Sequence, residues 1–176
     1  MLSSVILLLI SPLLLLIALG IKISSRGPAL FRQRRYGLNG NIVEIWKFRT
    51  MTVSEDGDHV VQATRGDARV TRFGAFLRRH SLDELPQFVN VLRGEMSVVG
   101  PRPPLAGEVG RYDLSHLRRL DVMPGITGLW QVQARQDPSF DSYVSLDVTY
   151  IEHWSVWLNL KIVLRTIAVV LAGTGV

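Results

Sequence analysis

The sequence predicts an α+β fold, mostly helical, in a small domain that is attached to a membrane. Residues 2–23 are almost entirely apolar, residues 29–50 have the pattern of a β-hairpin, and residues 139–171 contain two amphipathic helical segments. A chain of 176 residues can bury one real hydrophobic core but is short for two. We therefore expect a membrane helix at residues 1–23 and one cytosolic domain with interfacial helices at residues 24–176.

The composition limits the chemistry. The chain has 20 Lys and Arg against 15 Asp and Glu, which indicates an anionic partner such as a nucleic acid, a phosphorylated small molecule or an acidic lipid surface. The absence of cysteine excludes disulfides, thiolate metal sites and cysteine nucleophiles. The histidines lack metal-ligand spacing, so we expect no zinc site. We also expect no nucleic acid partner, because two apolar helices imply a membrane and no nucleic-acid motif appears.

The apolar segment extends about 30 Å as a helix, which is enough to cross a bilayer core. Pro12 lacks a backbone donor and predicts a kink, and the Ser11 hydroxyl can bond to a freed carbonyl. The residues alone leave two topologies open: a kinked spanning helix, or a re-entrant helix whose ends return to one face. Basic residues follow at once and keep the domain in the cytosol under either topology. They are Lys22, Arg26, Arg32, Arg34 and Arg35.

The hairpin is predicted from Asn39-Gly40, a strong two-residue turn signal between strand-like runs. Its second strand leads into the motif KFRTM at residues 47–51, with Lys47 and Arg49 on one side. This is either a solvated strand end or a contact to a phosphate or lipid headgroup. Residues 54–67 predict a polar surface loop that is mobile.

Asp83 and Glu84 form an adjacent carboxylate pair after a short helix that Thr71 can cap. The structural alternative is a capping box, with Ser81 as the cap and Glu84 three residues on. Pro86 argues against it, because a proline beyond the first turn loses a hydrogen bond and clashes with an earlier carbonyl. Pro86 is better placed as the first residue of the next helix, which puts the carboxylates at a junction between helices.

The pair suits nucleophilic and metal chemistry. We expect both carboxylates to be ionised, because a positive helix end follows them and Arg78 and Arg79 lie close by. An ionised aspartate needs no general base to act as a nucleophile, and an ionised glutamate beside it can hold a divalent cation. Asp83 and Glu84 are therefore candidate catalytic residues.

Two later segments offer groups that can bind anions. Arg102 is fixed between prolines in GPRPP, residues 100–104, so it loses little backbone freedom on binding; a plain linker is the equal alternative. Residues 124–128, PGITG, predict a turn whose backbone donors can form an anion nest. A short strand at residues 129–132 and then Arg135 are expected to follow.

The last two segments predict helices. Asp147 lies on the apolar stripe of residues 139–154, where a carboxylate needs a buried arginine, a metal or a ligand, and a structural salt bridge is favoured. Residues 156–171 are apolar apart from a narrow polar stripe, and Trp154 and Trp157 mark their start. This pattern favours a helix in the membrane interface over a core helix.

Six short motifs thus follow one another along the chain. They are Ser11-Pro12, KFRTM at residues 47–51, residues 78–87, GPRP at residues 100–103, PGITG at residues 124–128, and residues 147–154. In this order they resemble the monotopic phosphoglycosyl transferases, a bacterial sugar transferase family that starts polysaccharide and glycan assembly on polyprenyl phosphate. The resemblance covers nearly the whole chain.

The resemblance implies transfer of a phosphosugar from a UDP-sugar to polyprenyl (undecaprenyl) phosphate, with release of UMP and with Mg2+ as cofactor. By matching position, Asp83 is the covalent nucleophile and Glu84 serves the magnesium ion. The substrate- or phosphate-binding candidates are Lys47, Arg49, Arg78, Arg102, Arg135 and Asp147.

The resemblance also implies where the protein works. The break at Ser11 and Pro12 makes the helix re-entrant and the protein monotopic, on the cytoplasmic face of the bacterial inner membrane, among membrane lipids. Glycosyltransferases that act downstream are expected partners, and the oligomeric state stays open, a homo-oligomer included.

Two departures from the family pattern stand out. Family members usually begin with a basic, aspartate-containing segment, whereas this sequence opens with Met1-Leu2, as a truncated or trimmed form with weaker anchoring would. Ala134 stands where the family often has glycine before the arginine matched by Arg135.

A second class of function also stays open, a non-catalytic basic adaptor at the membrane surface, for which Asp83 is dispensable.

Overall fold

The computed structural model describes residues 2–52, 66–135, 137 and 139–173. It mixes helix and strand and is 56% helical, so the prediction of a mostly helical α+β fold is confirmed at that level. The helices are α1 (Leu2–Ser24), α2 (Arg72–Arg79), α3 (Phe88–Leu92), α4 (Ala106–Val109), α5 (Leu129–Gln133), α6 (Phe140–Glu152) and α7 (Val156–Ala172). The strands are β1 (Leu30–Tyr36), β2 (Ile42–Phe48), β3 (Ser97–Val99) and β4 (Gly125–Thr127). Most of the predicted loop, residues 54–65, lies outside the described residues.

Helix α1 runs through Pro12 without interruption. The Ser11 hydroxyl donates to the Leu8 carbonyl at 2.8 Å, the carbonyl that the missing N–H of Pro12 would have used. This compensation, which the sequence predicted, explains how the helix tolerates a proline. By length and composition, Ser3–Ser24 could cross a membrane, and only 11% of its apolar window is buried. The helix is therefore not a core helix of the described domain.

Strands β1 and β2 form the predicted antiparallel hairpin, but the predicted two-residue turn is wrong. The register pairs Tyr36 with Ile42, so five residues, 37–41, connect the strands. They form a 3-10 turn closed by a bond from the Gly37 N–H to the Asn41 carbonyl, 2.7 Å. Asn39 and Gly40 do adopt positive φ, 57° and 73°, which is the conformational property that made them a turn signal.

The C-terminal half of α1 is docked on the domain. Ile17 and Ile21 pack with Phe48 of β2 and Leu77 of α2 in one buried cluster. Thr71 caps α2 as predicted, since its side chain accepts a hydrogen bond from the Gly74 N–H at 2.9 Å. Helix α1 and the hairpin that leads to the KFRTM motif are thus parts of one packed unit.

A second cluster holds the C-terminal half together. Val99, Leu129, Tyr150 and Ile162 are buried in it, and β3 pairs in parallel with β4 above it. The predicted strand at residues 129–132 is wrong, because these residues form α5. The strand lies just before it, in residues 125–127, and the sheet partner β3 takes up the strand's hydrogen bonds there.

Helix α7 packs with one face and exposes the other. Ile162 is buried, whereas an apolar stripe at helical spacing is exposed. The stripe comprises Val156, Trp157, Leu160, Leu164, Ile167 and Leu171. A core helix would be covered on all sides, so the exposed stripe agrees with the expectation of an interfacial helix.

Gly74 has no room for a side chain. A Cβ built there would lie 2.1 Å from the Thr50 carbonyl oxygen, a backbone atom that cannot move aside cheaply. We expect Gly74→Ala to lower the free energy of unfolding by about 3 kcal/mol. Thermal melting in detergent measures the effect. Gly107→Ala in α4 is the matched control, since a Cβ there meets nothing within 4 Å. Equal melting temperatures for the two variants would contradict the prediction.

Candidate active site

The carboxylate pair lies in a 3-10 turn, Leu82–Gln87, between α2 and α3. Ser81 has a left-handed backbone, φ 54°, and makes no capping bond, so the capping-box alternative is wrong. The prediction that Pro86 starts the next helix is also wrong, because Pro86 lies inside the turn and α3 begins at Phe88. The 3-10 turn accommodates Pro86 because such a turn has no α-helical hydrogen bonds, from residue i to residue i−4, that a proline would remove. The junction between two helices is nevertheless real.

Glu84 is held by two cations. Lys47 Nζ lies 2.9 Å and Arg102 Nη1 lies 3.4 Å from the same oxygen, Oε1. Burial by itself would raise the pKa of Glu84, but Lys47, Arg102 and Arg135 together lower that pKa well below its usual range. Burial in turn lowers the pKa of Lys47, and Glu84 opposes this. The pair is therefore a charged, oriented ion pair in which Glu84 stays ionised.

Asp83 is in a different state. Within the described ranges, no group donates a hydrogen bond to its carboxylate. Burial and the neighbouring charge of Glu84 raise its pKa, against the charges of Lys47, Arg78 and Arg135. The direction is opposite to the one we predicted, because burial outweighs the cations. Glu84 is thus held in an ion pair. Asp83 lies near positive charges but accepts no hydrogen bond from the described residues.

Arg135, a candidate for substrate binding, and Arg79, which was expected beside the pair, are placed differently. Arg135 is brought to it, since Nη1 donates to Ser81 Oγ at 2.6 Å and its charge acts on both carboxylates. Arg79 is not: its Nε donates to the Gly173 carbonyl at 2.9 Å and so caps the end of α7. The prediction that Arg79 favours ionisation of the pair is therefore wrong, because the α2 face it occupies points to α7.

Arg49 lies at the end of α1. Its Nη2 donates to the Ser25 carbonyl at 3.0 Å and its Nη1 donates to the Arg26 carbonyl. These carbonyls follow α1, where the helix dipole favours a cation. The guanidinium is buried and engaged there, and its expected role in binding substrate stays a prediction.

Asp147 forms the structural salt bridge that the sequence analysis favoured. Its Oδ2 accepts from Arg119 Nη2 at 2.6 Å and from Nε at 3.1 Å, and both side chains are 1% exposed. Burial raises the pKa of Asp147 to about 6, although Arg119 opposes the shift. Oδ1 is buried without a partner in the described part of the protein. Contact of Asp147 with substrate stays a prediction, and this oxygen is the atom that could make it.

The sequence reasoning missed two buried arginines. Arg119 is 3% exposed and Arg35 is 6% exposed. Burial, with Arg102 nearby, lowers the pKa of Arg35 to about 9. The alternation in β1 was the available signal for Arg35, because Gln33 and Arg35 point to the same inward face. Arg119 gave no comparable signal, because it stands next to Arg118 and no pattern in the sequence marks which of the two arginines is buried.

The turn predicted at residues 124–128 is wrong, and its role as an anion nest stays a prediction. The Gly125 N–H donates to the Pro101 carbonyl at 2.9 Å, and residues 125–127 are a strand. As for a metal, the described residues contain no cluster of three potential ligands. The donors at hand still fit magnesium, because both cations contact Glu84 Oε1 while Oε2 accepts no hydrogen bond within the described ranges. Magnesium commonly uses one or two carboxylates together with substrate phosphates and water.

Comparison with known proteins gives one consistent result. A family model described as bacterial sugar transferase matches residues 1–173. A UDP-glucose:undecaprenyl-phosphate glucose-1-phosphate transferase of Klebsiella pneumoniae is 49% identical over 94% of this chain and 37% of its own length. Another, from Caulobacter vibrioides, is 50% identical over 90% of this chain and 62% of its own length. The exopolysaccharide production protein ExoY of Rhizobium meliloti is 44% identical over 98% of this chain and 83% of its own length.

Proposed function

Because the chain belongs to the bacterial sugar transferase family, we propose that it transfers a phosphosugar from a UDP-sugar to polyprenyl phosphate. The products are a polyprenyl diphosphate sugar and UMP. The chain spans 37% of the length of the Klebsiella relative, whose name gives UDP-glucose and undecaprenyl phosphate as substrates. These two compounds are the first substrates to test. The observation that carries the proposal is Asp83, whose carboxylate accepts no hydrogen bond from the residues that the structure describes, beside the ion-paired Glu84.

The reaction has two displacements at one phosphorus. A carboxylate oxygen of Asp83 bonds to the sugar-side phosphorus, the bond from this phosphorus to the bridging oxygen breaks, and UMP leaves with the electron pair. An oxygen of the lipid phosphate then attacks the same phosphorus, and the bond to Asp83 breaks. The carboxylate is regenerated. Among the described residues, no hydrogen bond to Asp83 has to be broken before it attacks.

The cations around the pair have a separate task. Lys47 and Arg102 contact Glu84, and Arg135 and Arg78 act on Asp83 by their charge. Positive charge held in place stabilises the negative charge that develops on the phosphate oxygens. We propose that Glu84 Oε2 is a ligand for a magnesium ion, which when bound supplies further positive charge to the phosphates.

A UMP-release assay tests the function. The purified protein is incubated in detergent with undecaprenyl phosphate, magnesium and a panel of UDP-sugars, beginning with UDP-glucose. Repeated release of UMP is expected with at least one UDP-sugar and only when the lipid is present. EDTA is expected to stop this release. Folded protein that releases no UMP with any sugar would overturn the proposal.

The proposed topology is re-entrant, with α1 and the exposed stripe of α7 in the cytoplasmic leaflet of the inner membrane. Because the chain has no cysteine, Ser3→Cys gives a single labelling site near the start of α1. We expect an impermeant thiol reagent to label Ser3→Cys only after cells are permeabilised. Ser115→Cys, in the cytosolic domain, is the control for that behaviour. Labelling of Ser3→Cys in intact cells would instead show that the helix spans the membrane.

A further inference from the structure

The loop that carries Arg102 is held in an unusual way. Three of its four residues, 101–104, are prolines, so the loop has a single N–H and can be fixed almost only through its carbonyls. All four carbonyls accept a hydrogen bond, each from a different donor. The donors are Gly125 N for Pro101 (2.9 Å), Arg119 Nη2 for Arg102 (3.0 Å), Arg35 Nη1 for Pro103 (2.9 Å) and Tyr36 N for Pro104 (3.0 Å).

The two side-chain donors are themselves fixed. Arg119 is oriented by Asp147 Oδ2 and also donates to the Tyr112 hydroxyl. Arg35 is oriented by Gln33 Oε1, which accepts from its Nε at 3.0 Å and from its Nη2 at 2.8 Å. A guanidinium presents its donors in a rigid plane, so a second partner on one edge sets the direction of the other edge.

We infer that Arg119 and Arg35 are positioning residues, which hold the carbonyls of Arg102 and of Pro103 and so direct the Arg102 side chain to the phosphate site. Arg102 Nη1 points to Glu84 at 3.4 Å, and prolines on both sides prevent the loop from shifting by local rotation. Asp147 acts on the loop through Arg119, and a hydrogen bond from the Arg102 backbone also lowers its pKa, so Asp147 need not touch substrate to matter. The inference rests on the proposed function, in which Arg102 binds a substrate phosphate.

Binding of inorganic pyrophosphate tests this without requiring turnover. Calorimetry compares the wild type with Arg119→Lys, Arg102→Ala and the double variant. A lysine cannot contact Asp147, Tyr112 and the Arg102 carbonyl together, so Arg119→Lys is expected to weaken binding roughly 10-fold, the value of about one hydrogen bond. The double variant is expected to bind no more weakly than Arg102→Ala alone, since Arg119 acts only through Arg102.

The adjacent Arg118 provides the matched control. It is exposed and pairs with Glu152 at 2.7 Å, so Arg118→Lys is expected to bind pyrophosphate like the wild type. A further loss in the double variant would assign Arg119 a merely structural role and overturn the inference, as would a wild type that does not bind pyrophosphate. If Arg119→Lys does not fold, the same cycle with Arg35→Lys decides. Pyrophosphate binding that follows this pattern without UMP release would refute the proposed transfer, whereas the positioning of Arg102 by Arg119 for a phosphate ligand would still hold.

Discussion

Asp83→Asn is expected to abolish the covalent intermediate and to lower turnover by on the order of 10^4-fold or more, as loss of a catalytic nucleophile does. The amide keeps the shape of the side chain but is a poor nucleophile towards phosphorus. Intact-mass spectrometry after incubation with UDP-glucose and magnesium, without lipid, measures the first effect. The wild type is expected to gain the mass of one phosphosugar on Asp83, and the variant is expected to gain none.

Asp141→Asn is the control for this experiment, because Asp141 is exposed in the first turn of α6, away from the carboxylate pair. It is expected to form the adduct at the rate of the wild type. The same pair of variants separates the enzyme from the alternative of a non-catalytic basic adaptor. An adaptor would function equally well with Asp83→Asn, because the basic residues behind the net charge of +5, and not Asp83, would bind the membrane surface.

Glu84→Gln is expected to cost both stability and activity. Lys47 and Arg102 lose the carboxylate that they both contact, and Lys47 is left largely buried, with 15% of its side chain exposed. Removing one partner of a buried ion pair costs about 3 kcal/mol. We also expect at least a roughly 100-fold loss of UMP release and a higher magnesium requirement. Thermal melting in detergent and the assay at graded magnesium concentrations measure the two effects.

The double variant Glu84→Gln with Lys47→Met separates stability from catalysis. A neutral, apolar replacement for the cation removes the uncompensated charge, so melting is expected to recover towards the wild type. UMP release is not expected to recover. Recovery of activity together with stability would show that Glu84 serves only to hold Lys47 and would refute its proposed role at the metal.

The sequence predicted the features that short-range chemistry controls. The hairpin follows from strand pattern and turn residues, the cap of α2 follows from Thr71, and the compensation of Pro12 by Ser11 follows from one missing donor. The salt bridge of Asp147 was predictable because an ionised carboxylate on an apolar stripe has few alternatives. Family membership followed from the order of motifs, each of which is short.

The errors come from contacts between segments that are distant in sequence. Residues 125–127 form a strand only because β3 offers a parallel partner, and the Gly125 N–H is bonded to the Pro101 carbonyl rather than open to an anion. Arg79 and Arg119 look alike in sequence, yet one caps α7 and the other binds Asp147. The raised pKa of Asp83 depends on burial, which local charge patterns do not reveal.

The clamp that Arg49 forms on the end of α1 has a geometric consequence. Lys47, which holds Glu84, lies two residues before Arg49 in the same stretch of chain, and Phe48 between them packs against Ile17 and Ile21 of α1. The carboxylate pair therefore stands at a fixed height relative to α1. If the proposed membrane insertion of α1 shifts with bilayer thickness, Asp83 moves with it, so its proposed reach to a lipid phosphate depends on the bilayer as well as on the protein.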